Sequence, residues 1–193
     1  MTGKDVAAAF ERVLHATEQS QAELDSLDAV AGDGDHGVTM VLGWRATVAA
    51  LTEPPAGAGA ALRVAAEAFA SVGGTAGPLW GTALLRAGRA FDETGSIAVA
   101  AQAVVAGMCD RGRCSEGERT VVDAMAPAAQ ALADGGDLVA AAAAAAGGAV
   151  ATASREPRHG RAALAPERVR GHVDPGAQAA AIFWQALACG TPA

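Results

Sequence analysis

The 193-residue sequence contains no tyrosine, and aromatic residues make up only 4% of it. Because aromatic and β-branched side chains favour strands, their scarcity argues against an all-β fold. Positive charge is scarce too, since 14 Lys and Arg stand against 21 Asp and Glu and the formal net charge is -7. This acidic balance argues against nucleic acid or an anionic membrane surface as the main partner.

Cysteine is rare and long apolar runs are missing. Cys109, Cys114 and Cys189 lack CxxC spacing, which favours reduced thiols in a cytoplasmic protein over a disulfide framework or a zinc site. The first segment carries charged residues such as Lys4 within a helical pattern, so we do not expect a signal peptide. The apolar stretch 138–146 is shorter than the roughly 20 residues of a membrane span. We therefore expect a cytoplasmic protein that binds no membrane.

Alanine, the residue with the highest helix propensity, is abundant, and hydrophobic residues reach 51%. Apolar residues recur at helical spacing from Val6 to Thr17, and Ser96, Asp137 and Asp174 have the character of helix N-caps. The pattern predicts about eight or nine helices and no convincing strand. We interpret it as an all-α bundle or barrel formed by a single domain, residues 1–193. After the first helix, the predicted helices cover about 21–28, 38–51, 59–71, 78–94, 96–110, 120–133, 137–153 and 174–188.

Two further local expectations concern the second half of the chain. Ser115 and Glu118 have capping-box spacing ahead of the helix predicted from Thr120. The segment 155–173, rich in Arg, Pro and His, is expected to be one long loop. The Gly-rich connections between helices could then cluster at one end of an up-and-down bundle.

Three aspartates gather within residues 27–37, LDAVAGDGDHG. The glycines match GxGxxG, but no strand precedes them, and Asp33 and Asp35 would repel a bare pyrophosphate. An EF-hand loop is also excluded, because the twelfth position counted from Asp33 is Trp44, where that loop needs Glu. With Asp28 about one helical turn upstream, three like charges are costly unless a cation neutralises them. The cluster therefore indicates Mg²⁺ that bridges to phosphates, and solvated aspartates capping the next helix are the alternative.

A second segment, residues 71–82, reads SVGGTAGPLWGT and places glycines directly before a helix. Backbone N–H groups exposed at a helix N-terminus form an anion site, although a plain tight turn is the alternative. No GxxxxGK[ST] motif occurs in the sequence. The negative charge of a phosphate would therefore be balanced by metal and by backbone N–H groups, without a P-loop lysine. Arg161 could bind phosphate as a fork. Asp174 alone is more typical of an N-cap than of a ligand.

Together with residues 117–123, GERTVVD, and 160–176, GRAALAPERVRGHVDPG, these two segments resemble the DhaL family. That family is the nucleotide-binding subunit or domain of dihydroxyacetone kinases. Its pattern LDxVxGDGDHG, GGTxGPLxGT, GDRTMxDAL and GRAxxxxERxxGHxDPGA is matched in this order across nearly the whole chain. The resemblance implies a barrel of eight antiparallel amphipathic helices, with Mg-ADP or Mg-ATP bound at one end.

The resemblance also implies roles for individual residues. Asp28, Asp33 and Asp35 match the family's ligands for two Mg²⁺ ions, which hold the phosphates at the catalytic centre. The other residues matching its nucleotide contacts are His36, Gly37, Val38 and Thr39, then Gly74, Thr75 and Ala76, then Gly112 and Val121 beside adenine, and finally Arg161, Asp174, Pro175 and Gly176.

Some positions depart from the family pattern. Thr39 replaces the usual Asn, Ala76 a Ser, Glu118 an Asp and Val121 a Met, and no tyrosine follows Arg161. All three metal aspartates are kept. These departures bear on base and phosphate contacts rather than on metal binding.

The resemblance implies phosphoryl transfer by positioning and charge neutralisation. In the family, the triose or other ketose lies on a separate DhaK-type subunit or domain, so we expect this chain to be inactive alone and to form a hetero-oligomer or homodimer. Some members exchange free ATP, and others keep ADP bound and receive phosphate from a DhaM-type phosphotransferase-system protein. The sequence leaves both routes open. The alternative function is a nucleotide-binding regulatory module that docks on a protein partner without catalysing transfer.

Overall fold

Ten α-helices make up most of residues 1–190, the part of the chain that the computed structural model describes. Two of them are short, namely α2 (Gln21–Asp28) and α9 (Pro166–Val169). No strand is formed among these residues. The eight long helices are α1 (Gly3–Gln19), α3 (His36–Ala50), α4 (Ala58–Ala70), α5 (Ala76–Thr94), α6 (Ile97–Gly112), α7 (Val122–Ala133), α8 (Leu138–Ala151) and α10 (Pro175–Ala188).

The eight long helices form a closed ring. Each of them packs against the next along the chain, and α10 returns to pack against α1. Short connections join most neighbours, and such connections place successive helices antiparallel. The predicted all-α barrel of about eight antiparallel helices is confirmed.

Because the helix direction alternates, the connections fall at two ends of the barrel. The end that we call the motif end carries all four sequence motifs. Its connections are 29–35, 71–75, 113–121 and 152–174, and those of the opposite end are 51–57, 95–96 and 134–137. The Gly-rich motifs thus lie at one end, as expected, although Gly57, Gly95, Gly135 and Gly136 stand in the connections of the opposite end.

Side-chain caps fix several helix starts where the sequence predicts them. The side chains of Ser96, Asp137 and Asp174 accept hydrogen bonds from the backbone N–H groups three residues further on. Thr2 and Asp5 form a reciprocal capping box at the start of α1. These caps satisfy N–H groups that have no partner within the helix.

Two local expectations are wrong. The Ser115 N–H does donate to Glu118 Oε2 over 2.9 Å, but α7 begins only at Val122. Gly117 and Arg119 have φ of +95° and +60°, a left-handed conformation that breaks a helix. The segment 155–173 is also not one plain loop, since it contains a 3₁₀ turn at Arg161–Leu164 and the single turn of α9.

The barrel interior combines a single aromatic cluster with close helix contacts at small residues. Trp44 lies at the centre, with ring centroids 4.8 Å from Phe69 and 5.2 Å from Trp80. Gly43 faces the ring of Phe69, with which a Cβ at this position would collide. The cluster consists of Phe10, Trp44, Phe69, Trp80, Phe183 and Trp184. Six of the seven aromatic residues thus fill the barrel together, while alanines bring the helices close.

An apolar cavity of about 310 Å³ lies between α1, α5, α6 and α10. Its walls include Leu84, Phe91, Val104 and Trp184, and few polar atoms line it. The polar motifs do not line this cavity, because they lie at the motif end. None of the helices described combines the length and the apolarity that crossing a membrane requires.

Candidate metal and nucleotide site

Asp28, Asp33 and Asp35 come together where α2 ends and the chain turns into α3. One carboxylate oxygen from each lies within 4.8 Å of the others. Asp28 Oδ2 accepts hydrogen bonds from the N–H of Gly34 (2.9 Å) and of Asp35 (3.3 Å). Gly34 has φ of +76°, which glycine adopts without strain. Asp28 therefore folds the loop back on itself and brings the other two carboxylates to its side.

The charges in this cluster are unbalanced. Arg161 pairs with Asp33, and its hydrogen bond is the main cause that lowers the pKa of Asp33 to about 2. The pKa of Asp35 is raised, first by partial desolvation and then by the negative charge of Asp33. Three carboxylates thus face one arginine, and a divalent cation would relieve the remaining repulsion. An all-oxygen ligand set of this kind fits Mg²⁺.

The N-terminus of α3 is held by a residue that the sequence reasoning missed. Asp25 Oδ1 accepts the N–H groups of Gly37 (2.7 Å) and Val38 (3.1 Å), so these two donors are engaged within the protein. Asp25 lies three residues before Asp28 on α2, a spacing that places both on one helix face, and this was the available signal. His36 Nε2 is buried and finds no hydrogen-bond partner among the described residues, and burial lowers the pKa of His36.

The Gly-rich connection opens in front of α5. Gly74 has φ of +75°, and a Cβ added at Gly73 or Gly74 would meet nothing within 4 Å. Among the residues described, no side chain caps the helix at Thr75. The first N–H groups of α5, at Ala76 and Gly77, have no partner within the helix. This arrangement provides the open helix N-terminus that phosphate binding requires.

Two close contacts assemble the residues that match the adenine side of the family's site. Gly112 ends α6, and a Cβ there would lie 3.7 Å from Leu79 in the first turn of α5. A Cβ on Gly176 would lie 3.5 Å from the Cβ of Val121. The 174–176 turn therefore packs against the start of α7, and the end of α6 lies beside the first turn of α5.

The segment 155–161 links the remaining motifs. His159 Nε2 lies 2.7 Å from Glu118 Oε2, and Arg155 pairs with the buried Asp123. Since Arg161 pairs with Asp33, this one segment connects the aspartate cluster to residues 117–123. The longer Glu118, where the family pattern has Asp, carries the contact with His159. Sequence reasoning missed His159 and Arg155 as the partners of Glu118 and Asp123, because no local pattern points to such distant pairs.

A family-model comparison matches the DAK2 domain to residues 30–189. The chain belongs to the DAK2 domain family. Curated relatives include L-erythrulose 1-kinase of Mycolicibacterium smegmatis, 36% identical over 95% of this chain and 35% of the relative. They also include an ADP-binding subunit DhaL of a PEP-dependent dihydroxyacetone kinase of Listeria innocua, 34% identical over 88% of this chain and 87% of the relative. The recognition of the DhaL family from its motifs is confirmed.

Solved structures show the same fold as this DAK2 domain. The native dihydroxyacetone kinase of C. freundii matches with a TM-score of 0.81 at 30% identity, over 96% of this chain and 34% of that one. The same enzyme in complex with AMP-PNP and Mg²⁺ matches with a TM-score of 0.80 at 29% identity. The chain thus spans about a third of the larger kinases and nearly all of the DhaL subunit.

Proposed function

We propose that this DAK2 domain is the ADP- or ATP-binding subunit of a dihydroxyacetone-type kinase in the cytoplasm. It would form a single domain over residues 1–193, although the last three lie outside the described part. The observation that carries the proposal is the cluster of three carboxylate oxygens within 4.8 Å of one another at the motif end. Such a cluster would allow a protein of net charge -7 to bind phosphate through a metal ion.

Asp28, Asp33 and Asp35 are proposed to hold two Mg²⁺ ions. The bound metal supplies charge neutralisation for the phosphates and for the transition state. Asp28 is fixed by two loop N–H groups, so its carboxylate is oriented before any ligand arrives. Asp33 is held by Arg161, whose guanidinium also has the fork geometry that suits phosphate oxygens.

The phosphates are proposed to lie between the aspartate cluster and the open N-terminus of α5 at Gly74, Thr75 and Ala76. The nucleoside is proposed to lie along Gly112, Val121 and the turn Asp174–Gly176, with the first turn of α3, His36–Thr39, lining one side. A kinase that contains this fold was solved with AMP-PNP and Mg²⁺, which supports the binding of a nucleotide together with Mg²⁺. Thr39 and Ala76 alter single polar contacts relative to the family pattern and leave the aspartates intact.

The acceptor triose or ketose is proposed to bind a DhaK-type partner that covers the motif end, so that the chain alone transfers no phosphate. Relatives named as DhaL subunits, matched over nearly their full length, support a hetero-oligomer. The phosphoryl donor is tested by purifying the chain and dialysing it. Retained ADP indicates the route through a DhaM-type protein, and rapid exchange with free ATP indicates direct use of ATP.

Calorimetric titration with ADP, with and without Mg²⁺, tests the proposed function. We expect the wild type to bind ADP only with Mg²⁺ and Asp33→Asn to lose this binding, with wild-type circular dichroism. Asp137→Asn is the matched control, because it removes one negative charge at the opposite end and retains an N-cap. ADP binding by the wild type that is indifferent to Mg²⁺ would contradict the proposal.

A further inference from the structure

Arg119 is a buried arginine in the connection between α6 and α7. Its exposed fraction is 4%, and its φ is +60°. An arginine in this left-handed region stores backbone strain, and a buried charge adds a desolvation cost. Glycine would serve the turn at lower cost. The side chain therefore has a role that the turn does not explain.

The guanidinium of Arg119 reaches the segment that leads into α10. Its Nη2 donates to the carbonyl oxygens of His172 (3.0 Å) and Val169 (3.4 Å). Its Nη1 lies 3.6 Å from Asp174 Oδ1. The N–H of Asp174 donates to Thr152 Oγ1 over 2.8 Å. Arg119 thus fixes the backbone on the N-terminal side of the 174–176 turn, while Thr152, the residue that follows α8, holds the N–H of Asp174.

This anchor lies directly beside the proposed nucleoside contacts. Val121 follows Arg119 by two residues, and Gly176 follows Asp174 by two. A Cβ on Gly176 would approach Val121 to 3.5 Å, so the Arg119–Asp174 pair sets how these two surfaces meet. Arg119 forms no hydrogen bond or ion pair with the aspartate cluster among the interactions of the described residues.

We propose that Arg119 is a positioning residue for the nucleoside end of the site. It sets the distance between Val121 and the Asp174–Gly176 turn, and it does not act on the metal and phosphate end. Its planar fork, which reaches two carbonyl groups and a carboxylate, cannot be reproduced by the single ammonium of lysine. This inference rests on the proposed nucleotide-binding function.

The test compares two ligands on the Arg119→Gly variant. Glycine fits a φ of +60° and leaves space in which added guanidinium ion can bind. By calorimetry we expect Mg-ADP to bind about tenfold to a hundredfold more weakly than to the wild type, the effect of losing hydrogen bonds that a charged group makes. Mg-pyrophosphate, which probes only the metal and phosphate end, should bind with unchanged affinity. Guanidinium should restore part of the lost ADP affinity.

Arg113→Gly is the matched control, because Arg113 is also an arginine at positive φ (+51°) but is exposed. It should bind both ligands as the wild type does. If Arg119→Gly fails to fold, Arg119→Lys keeps the charge, and we expect it to have native circular dichroism with weakened ADP binding alone.

Three results would overturn the inference. The first is that Arg119→Gly weakens the binding of Mg-ADP and of Mg-pyrophosphate equally. The second is that both Arg119 variants bind Mg-ADP with wild-type affinity. The third is that the wild type does not bind Mg-pyrophosphate, which would mean that the two ends of the site do not act separately. A wild type that binds neither ligand overturns the proposed function itself. Wild-type binding with an unaffected Arg119→Gly variant overturns only the role of Arg119.

Discussion

Asp123 belongs to the same set of motifs as the metal aspartates, yet the structure gives it a structural role. Its side chain is fully buried. It accepts the N–H groups of Gly117 and Thr120, each over 2.6 Å, and it pairs with Arg155. Asp123→Ala would leave two N–H groups and a guanidinium without their partner. Breaking a buried pair in this way costs about 3–5 kcal/mol.

That cost predicts a large loss of thermal stability. A domain of this size loses roughly 2–4 °C in Tm for each kcal/mol, so we expect Asp123→Ala to melt about 6–20 °C below the wild type. Far-UV circular dichroism during heating measures this shift. The control is Asp92→Ala, which breaks the exposed pair with Arg63. An exposed pair contributes at most about 1 kcal/mol. Equal Tm changes in the two variants would refute the reasoning.

Three further predictions follow from the described contacts. Asp35→Asn should leave the ligand-free Tm unchanged or higher, because like-charge crowding is relieved. It should also lose the stabilisation by Mg-ADP, which at a hundredfold excess over Kd is about 2.7 kcal/mol. Burial raises the pKa of Asp174 from 3.8 to about 6. Protonation of Asp174 therefore stabilises the folded state at acid pH, and this stabilisation of about 3 kcal/mol is lost as the pH rises through about 6. An NMR titration of the carboxyl group measures the pKa of Asp174, and a pKa near 4 would contradict the prediction. Gly43→Ala should lower stability by about 1–3 kcal/mol in urea unfolding, because its Cβ collides with Phe69, and an unchanged midpoint would show that the ring moves aside.

Much of the fold follows from local pattern. Helical periodicity with caps at Ser96, Asp137 and Asp174 gives helix number and direction, and short connections then leave few arrangements other than an antiparallel barrel. The aspartate cluster is predictable for the same reason, since Asp33 and Asp35 share a tight loop one turn after Asp28.

The rest depends on contacts between distant residues. The pairing of Glu118 with His159 and the reach of Arg119 to His172 cross 41 and 53 positions, and no local spacing encodes them. The expected capping box of Ser115 and Glu118 does not start α7, because Arg119 adopts a conformation that is rare outside glycine, which its residue type does not reveal. The spacing of Asp25 and Asp28 places both on one face of α2, but the hydrogen bonds that Asp25 accepts from Gly37 and Val38 form only when α3 packs beside α2.

The most direct test of the metal-dependent nucleotide site is electron paramagnetic resonance with Mn²⁺ as the probe for Mg²⁺. At saturating ADP, the signal of free Mn²⁺ is compared with and without the protein. The decrease caused by the protein counts the Mn²⁺ ions that the chain retains beyond those bound by ADP alone. The proposed function predicts retained Mn²⁺ in the wild type and in Asp137→Asn, and loss of it in Asp28→Asn, Asp33→Asn and Asp35→Asn. Equal retention in all variants, or none in the wild type, would contradict the assignment of the three aspartates.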